Sequence, residues 1–309
     1  MQSKLSQDAL RTRGLRVSSH PTLMRFGLLL AVTATLSLSC FAQSKSPART
    51  YAGFDANEYP GDALLPALHK QFAFTGYWLN NPPGADHNPW AGKRAVLVKN
   101  GFGFVVVFNG RLDKEILTAK KKGQSPAAFG RADAATAVAA AQREGFPPHT
   151  ILFLDQEEGG RMLEEQAGYL LAWTEAVAAS NYRPGVYASG QPVNDGKDDH
   201  GRPVFITTIQ DIRQQVAAKH LHAVAFWVAQ DACPPAPGCV VKANQPPAPD
   251  VSGTLDAAAW QYAQSPRRPE ITRACAATYN RDGNCYVPGL TNFELDLSSS
   301  TSPDPSHGR

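Results

Sequence analysis

The sequence predicts an α/β protein, a (β/α)8 TIM barrel in which irregular, disulfide-pinned loops replace the last helices. Three observations lead there. Eight short apolar runs rich in β-branched and aromatic residues recur beyond residue 50. Helical patterns separate the earlier runs, and the later spacers are rich in Pro and Cys instead. Strands alternating with helices build βα units and a parallel sheet, and eight such strands can close a barrel. An open doubly wound sheet is the competing arrangement.

The chain has 309 residues, enough for one large α/β domain. Residues 1–42 read as a signal peptide. Lys4, Arg11, Arg13, Arg16 and Arg25 precede an apolar stretch from Phe26 to Leu36, followed by Cys40-Phe41-Ala42. The stretch is too short to span a bilayer, so cleavage after Ala42 is the expected outcome. Met24 is an alternative start to Met1. A lipoprotein anchored at Cys40 is less favoured, because Ser37 stands where such signals usually carry Leu.

Of 30 basic and 27 acidic residues in the whole chain, five basic residues and Asp8 lie in the leader. The rest, with 25 basic and 26 acidic residues, has a net charge of −1. A near-neutral body gives nucleic acid and anionic membrane nothing to bind. The expected product is exported to the periplasm or beyond, without stable membrane insertion after processing, and is a monomer. Cysteine usage agrees with export: Cys233, Cys239, Cys275 and Cys285 form two close pairs, read as two local disulfides. A four-cysteine zinc site competes, but neither pair has CxxC spacing.

The expected strands are Tyr51–Asp55, Phe72–Leu79, Phe102–Phe108, Thr150–Leu154, Gly185–Ala188, Ala223–Ala229, Ala258–Tyr262 and Phe293–Leu297. Helices are expected at Ala132–Arg143, opened by Asp133 and closed by Gly145; at Met162–Ala179; and at Ile209–His220. Ala232–Gly253 and Ser265–Leu290 show no convincing helix. The domain is drawn as 43–298, and the polar tail, 299–309, is expected to be disordered.

The fourth run, Ile151-Leu152-Phe153-Leu154, ends abruptly in Asp155-Gln156-Glu157-Glu158. Residues two apart share a face of a strand, so Ile151, Phe153, Asp155 and Glu157 point one way. If that way is the barrel interior, the two acids emerge at the C-terminal mouth, where barrel enzymes place their chemistry. Crowded, partly buried carboxylates repel one another, and one stays protonated near neutral pH. Such a pair serves glycosidic cleavage as general acid and partner. The competing reading is that these acids merely open the next helix. Asp55 at the end of the first run and Asp296 in the last favour the mouth. Aromatic rings stack on sugar faces, and Tyr77, Tyr187, Trp227 and Trp260, with Gln230 and Gln261, form the expected substrate-binding set.

GFD on the first strand, LDQE on the fourth, GVYAS, FWVAQ and AWQYA on the next three and LDL on the last stand in the order seen in family-25 glycoside hydrolases. Those are secreted lysozymes that cut peptidoglycan. The stretch FGRADAATAVAAAQREGFPPHTILFLDQE is more similar still to their sister group, the glycoside hydrolase-like domain of unknown function 1906. The resemblance spans roughly 51–298. It implies that Glu157 is the general acid, that Asp155 tunes it, and that Asp55 and Asp296 line the sugar subsite. The second catalytic player is then either a carboxylate nucleophile or the substrate's own N-acetyl group assisted by an aspartate. Departures stand at Ala56-Asn57-Glu58-Tyr59, which lacks the lysozymes' Ser two residues past Asp55, and at the loop Asn80–Pro89.

No cofactor and no metal are expected. Gly101-x-Gly103 lacks the third glycine of a dinucleotide loop; His149, His220 and His222 have no acid at ligand spacing; Ser189 is not in a nucleophile elbow. The function expected is hydrolysis of cell-wall glycan, peptidoglycan or a related N-acetylhexosamine polymer. The alternative is a barrel that binds polysaccharide or peptidoglycan without cutting it.

Overall fold

The structure, a computed structural model, describes residues 49–241 and 245–309. The leader expected at 1–42, with Cys40, lies outside the described residues. Eight strands close a barrel: β1 (Tyr51–Asp55), β2 (Phe74–Trp78), β3 (Gly103–Asn109), β4 (Ile151–Asp155), β5 (Arg183–Ser189), β6 (Ala225–Ala229), β7 (Ala259–Ala263) and β8 (Asp296–Ser300). Their order around the wall is β1-β8-β7-β6-β5-β4-β3-β2. β1 to β7 run parallel to their neighbours, whereas β8 runs antiparallel to both β1 and β7.

The reversal of β8 has a local cause. No long crossover helix follows β7. The chain makes a short helix, Pro269–Thr272, a 3-10 run, Arg273–Thr278, and a hairpin, Tyr286–Val287 with Leu290–Glu294. A parallel partner needs a crossover that returns the chain to the other end of the sheet, whereas an antiparallel one does not. The last run expected, Phe293–Leu297, is therefore displaced: its first two residues belong to the hairpin, and β8 starts at Asp296.

Outside the barrel lie α1 (Leu65–His69), α2 (Arg94–Lys99), α3 (Asp113–Lys121), α4 (Pro126–Arg143), α5 (Glu164–Ala178) and α6 (Thr208–Ala218). α4 starts well before the expected Ala132, where Ser125 caps it and Pro126 takes the first turn. Asp133 consequently sits mid-helix rather than opening it. Buried there, it accepts two bonds from Arg111, at 2.8 and 3.1 Å, and one from the Tyr169 hydroxyl at 2.9 Å. α6 opens on a capping box, Thr207 with Gln210. Among the described residues no helix is long and apolar enough to cross a membrane.

The cysteines pair differently from the local reading. Cys233 joins Cys275 and Cys239 joins Cys285, with Cα separations of 5.3 and 5.2 Å. The loops that leave β6 and β7 are neighbours around the wall, so two bridges stitch one loop to the other instead of closing each on itself.

The tail is not disordered. Past β8 it turns under the barrel, where the Ser306 N–H donates to Phe104 O and its carbonyl accepts from the Ile151 N–H, both at 2.8 Å. Its hydroxyl accepts from the Val106 N–H at 2.8 Å. Asp304 Oδ1 accepts from the Phe104 N–H at 2.9 Å. A Cβ on Gly103 would stand 2.1 Å from the Pro303 carbonyl oxygen, so only glycine admits the tail there. These peptide groups of β3 and β4 find partners in the tail where the wall leaves them unpaired.

Candidate active site

At the opposite end of the barrel, the C-terminal ends of β1 to β7 and the start of β8 surround a cavity of about 510 Å³. Alternation along each strand decides what enters it. Asp55 ends β1 and Asp155 ends β4, both buried, and Glu157 follows two residues on at the exposed rim. Asp296 reaches the same mouth because β8 is reversed, which puts its first residue, not its last, at this end. In the antiparallel β1–β8 pair, Asp55 and Asp296 stand directly opposite each other. Gly76 on β2 makes room for them: a Cβ there would lie 2.6 Å from Asp55 Cβ. All four acids expected from the sequence line one cavity.

Gln261 on β7 holds the first pair. Its Nε2 donates to Asp55 Oδ2 at 2.9 Å and to Asp296 Oδ2 at 3.3 Å. Its Oε1 accepts from the Tyr187 hydroxyl and from Gln264 Nε2, both at 2.7 Å. Asp296 Oδ1 accepts from the Ser265 N–H at 2.6 Å. By contrast Asp55 Oδ1 and Asp155 Oδ1 are buried without a partner.

Such crowding keeps protons on the acids. Burial pushes the Asp55 carboxyl up to about 7, opposed by the Gln261 bond and assisted by the charge of Glu157. Asp155 is held well above the usual carboxylate range by burial and then by the charges of Glu157 and Asp55. Asp296 is also held well above it, by burial and by Asp55. Glu157 is raised by desolvation in the concave mouth and by neighbouring Glu158. Burial and the surrounding acids likewise hold the Tyr187 hydroxyl protonated.

Glu158 anchors the loop that presents Glu157. Its Oε1 accepts from the Asp113 N–H at 2.7 Å, at the start of α3. Its Oε2 accepts from Gln166 Nε2 at 2.7 Å and from Gln156 Nε2 at 3.2 Å. Three elements thereby fix the carboxylate next in sequence to Glu157.

Among the expected substrate-binding residues, Tyr187, Trp227 and Gln261 line the cavity. The rings of Tyr187 and Trp227 meet at 4.8 Å, and Trp227 Nε1 donates to Ser298 Oγ at 3.2 Å. Tyr77, Trp260 and Gln230 are corrections, because none of them lines it. Tyr77 points outward between Phe104, Phe146 and Trp90, and its hydroxyl donates to Glu144. Trp260 faces the other way from Gln261, its Nε1 donating to Gln230 O at 2.6 Å. Gln230 bonds Gln191, Gly190 O and the Ala232 N–H in the loop after β6. In each of the pairs Tyr77/Trp78 and Trp260/Gln261 only one residue can face inward; the inward ones are Trp78 and Gln261. Tyr286 and Glu294 of the hairpin join the lining, and loop residues complete it, among them Asn57, Glu58, Pro83 and Gln264. No strand pattern could have pointed to these.

Solved structures similar to this chain match it at low identity. An uncharacterised protein of B. stearothermophilus is 20% identical with a TM-score of 0.46, over 80% of this chain and 94% of that one. The Mycobacterium tuberculosis Tat-secreted protein Rv2525c, in complex with L-tartrate, is 13% identical with a TM-score of 0.45, over 81% and 94%. The catalytic domain of endolysin ply40, from bacteriophage P40 of Listeria monocytogenes, is 13% identical with a TM-score of 0.44, over 85% and 100%. No curated protein matches. Residues 72–267 match the family described as the Rv2525c-like, glycoside hydrolase-like domain, which is more than half of the chain. The chain belongs to that glycoside hydrolase-like family.

Proposed function

We propose that the mouth of this barrel hydrolyses a cell-wall glycan, peptidoglycan or a related N-acetylhexosamine polymer, with Glu157 as general acid. The observation that carries the reading is the convergence of Asp55, Asp155, Glu157 and Asp296, from three strands, on one cavity lined with Trp78, Tyr187 and Trp227. Glu157 is the acid with the best access to an incoming chain, and its raised proton affinity equips it to protonate the leaving glycosidic oxygen. Asp155 stands two residues earlier in the same acidic stretch, and burial with the charge of Glu157 raises its proton affinity. Asp55 and Asp296, joined through Gln261, face the sugar whose bond breaks and, once ionised, stabilise positive charge developing on its ring. Export through the leader at 1–42, with 43–298 as the working domain, belongs to the same reading, since the two disulfides persist in an oxidising compartment.

One observation favours binding without cleavage. Burial and mutual repulsion raise all four carboxyls together, whereas acid and base roles are usually assigned by environments that push two groups apart. The test is release of reducing ends from peptidoglycan and from N-acetylglucosamine oligomers, wild type against Glu157→Gln. Loss of a general acid should slow release by about 10²–10⁴-fold. Release that survives the substitution removes Glu157 from the mechanism; binding with no release by wild type leaves a binder.

A further inference from the structure

Resting on the reading of the mouth as a glycan site, we infer that the sugar it holds carries a free amino group: a de-N-acetylated hexosamine, bound as its ammonium.

Six carboxyl groups line the cavity, from Asp55, Glu58, Asp155, Glu157, Glu294 and Asp296, and among the described lining residues there is no Lys, Arg or His. Arg268 is near enough for its charge to be felt by Glu157. Its guanidinium, however, is turned to fully buried Asp231, donating through Nε at 3.1 Å and through Nη2. The cation is spent on that partner and does not line the cavity. A ligand entering therefore meets carboxyl groups and no cation, and a bound cation would lower their raised proton affinities and favour their ionised form.

Acid clusters alone do not name a ligand; two buried atoms here do. Asp55 and Asp155, 7% and 5% exposed, line the cavity, and the Oδ1 of each has no hydrogen-bond partner. Unpartnered buried oxygens of acids are costly unless a donor arrives to meet them. An ammonium brings three N–H donors and a positive charge to the same place. A metal ion is a poorer match, since among the described residues no three acids, histidines or cysteines converge closely enough to hold one.

Size and shape point to a sugar rather than a free amine. The cavity volume suits one or two pyranose rings, and Trp78, Tyr187 and Trp227 form part of its wall beside the acids. Sugars that carry a carboxylate, uronic acids above all, are excluded, because one more acid among crowded carboxyls adds repulsion and brings no cation to relieve it.

Calorimetric titration of the full chain with three oligomers of equal length tests this: glucosamine, N-acetylglucosamine and a uronic acid. The glucosamine oligomer should bind about tenfold tighter than the acetylated one at low salt, and the uronic acid not at all. Raising ionic strength from roughly 0.02 M to 0.5 M should shrink that preference at least threefold. In Asp296→Asn, which keeps the side chain's shape, the preference for the glucosamine oligomer should fall at least threefold. Equal or weaker binding of the glucosamine oligomer, or binding of the uronic acid, overturns the inference. Cleavage of the acetylated oligomer with no preference for the amine overturns it while leaving hydrolysis standing. Preferred binding of the glucosamine oligomer with neither oligomer cut supports it while removing hydrolysis.

Discussion

The two ends of the barrel treat their polar groups in opposite ways. At the base, the tail brings Asp304 and Ser306 under β3 and β4, and each bonds a strand peptide group at 2.8–2.9 Å. At the mouth, Asp55 and Asp155 each keep a buried oxygen without a partner, and acids crowd until burial and repulsion hold protons on them. Satisfied buried groups stabilise a fold, and unsatisfied ones cost about 1–3 kcal/mol each. The base is where this molecule gains stability, and the mouth is where it gives some back. That division is what a ligand site built on a rigid scaffold requires.

Deleting residues 301–309 is the harshest test of the contrast. It strips partners from the N–H groups of Phe104, Val106 and Ile151 and from the Phe104 carbonyl. At roughly 1 kcal/mol per bond, stability should fall by about 4–6 kcal/mol, read as a lower urea midpoint. An unchanged midpoint would show that the base contributes nothing. Glycan binding per folded molecule should survive, since no tail residue lines the mouth.

At the mouth the sign reverses. The Asp55 proton affinity is raised on folding, so the folded chain holds a proton the unfolded chain has lost between the ordinary carboxylate range and about 7. Stability therefore falls as pH rises through that window and levels off above it. Asp55→Asn removes that part of the slope and should stabilise the protein above pH 7 by a few kcal/mol, a tenfold change in proton affinity being worth about 1.4 kcal/mol. Thermal midpoints of both proteins across that pH range decide it; destabilisation by Asp55→Asn at every pH would sink the account.

The smallest effect is expected from Glu158→Gln. Its charge helps to raise Glu157, so removing it should lower the proton affinity of Glu157 and move the alkaline limb of glycan hydrolysis to lower pH. The amide keeps an oxygen for the Asp113 N–H but turns a donor toward Gln166 Nε2 and Gln156 Nε2, so stability should fall by about 1–3 kcal/mol. A loss of rate uniform across pH would instead mean that Glu158 acts only by holding the loop.

Much of this was readable because barrel strands are short, apolar and periodic. β1 is found at its expected limits, and the parity of Asp155 and Glu157 places them at one mouth. The direction of β8 was not readable, since alternation along a strand looks the same in either direction. Nor was its start, because Phe293 and Glu294 alternate as well as Leu297 does, and only pairing with Tyr286–Val287 assigns them to the hairpin. Nearness in sequence favours Cys233 with Cys239, yet adjacency of two loops around the wall outweighs it. For 299–309, polar composition argues against a core but says nothing about unpaired strand edges waiting for donors and acceptors.

By itself the sequence determined the strand periods, the helices and which acids share a face, because these depend on neighbours within a few residues. Only the tertiary structure decided that Asp55 and Asp296 stand opposite each other, which cysteines join, and that the tail seals the base. Those outcomes depend on how the wall closes, and closure brings together residues more than 200 positions apart, such as Asp55 and Gln261.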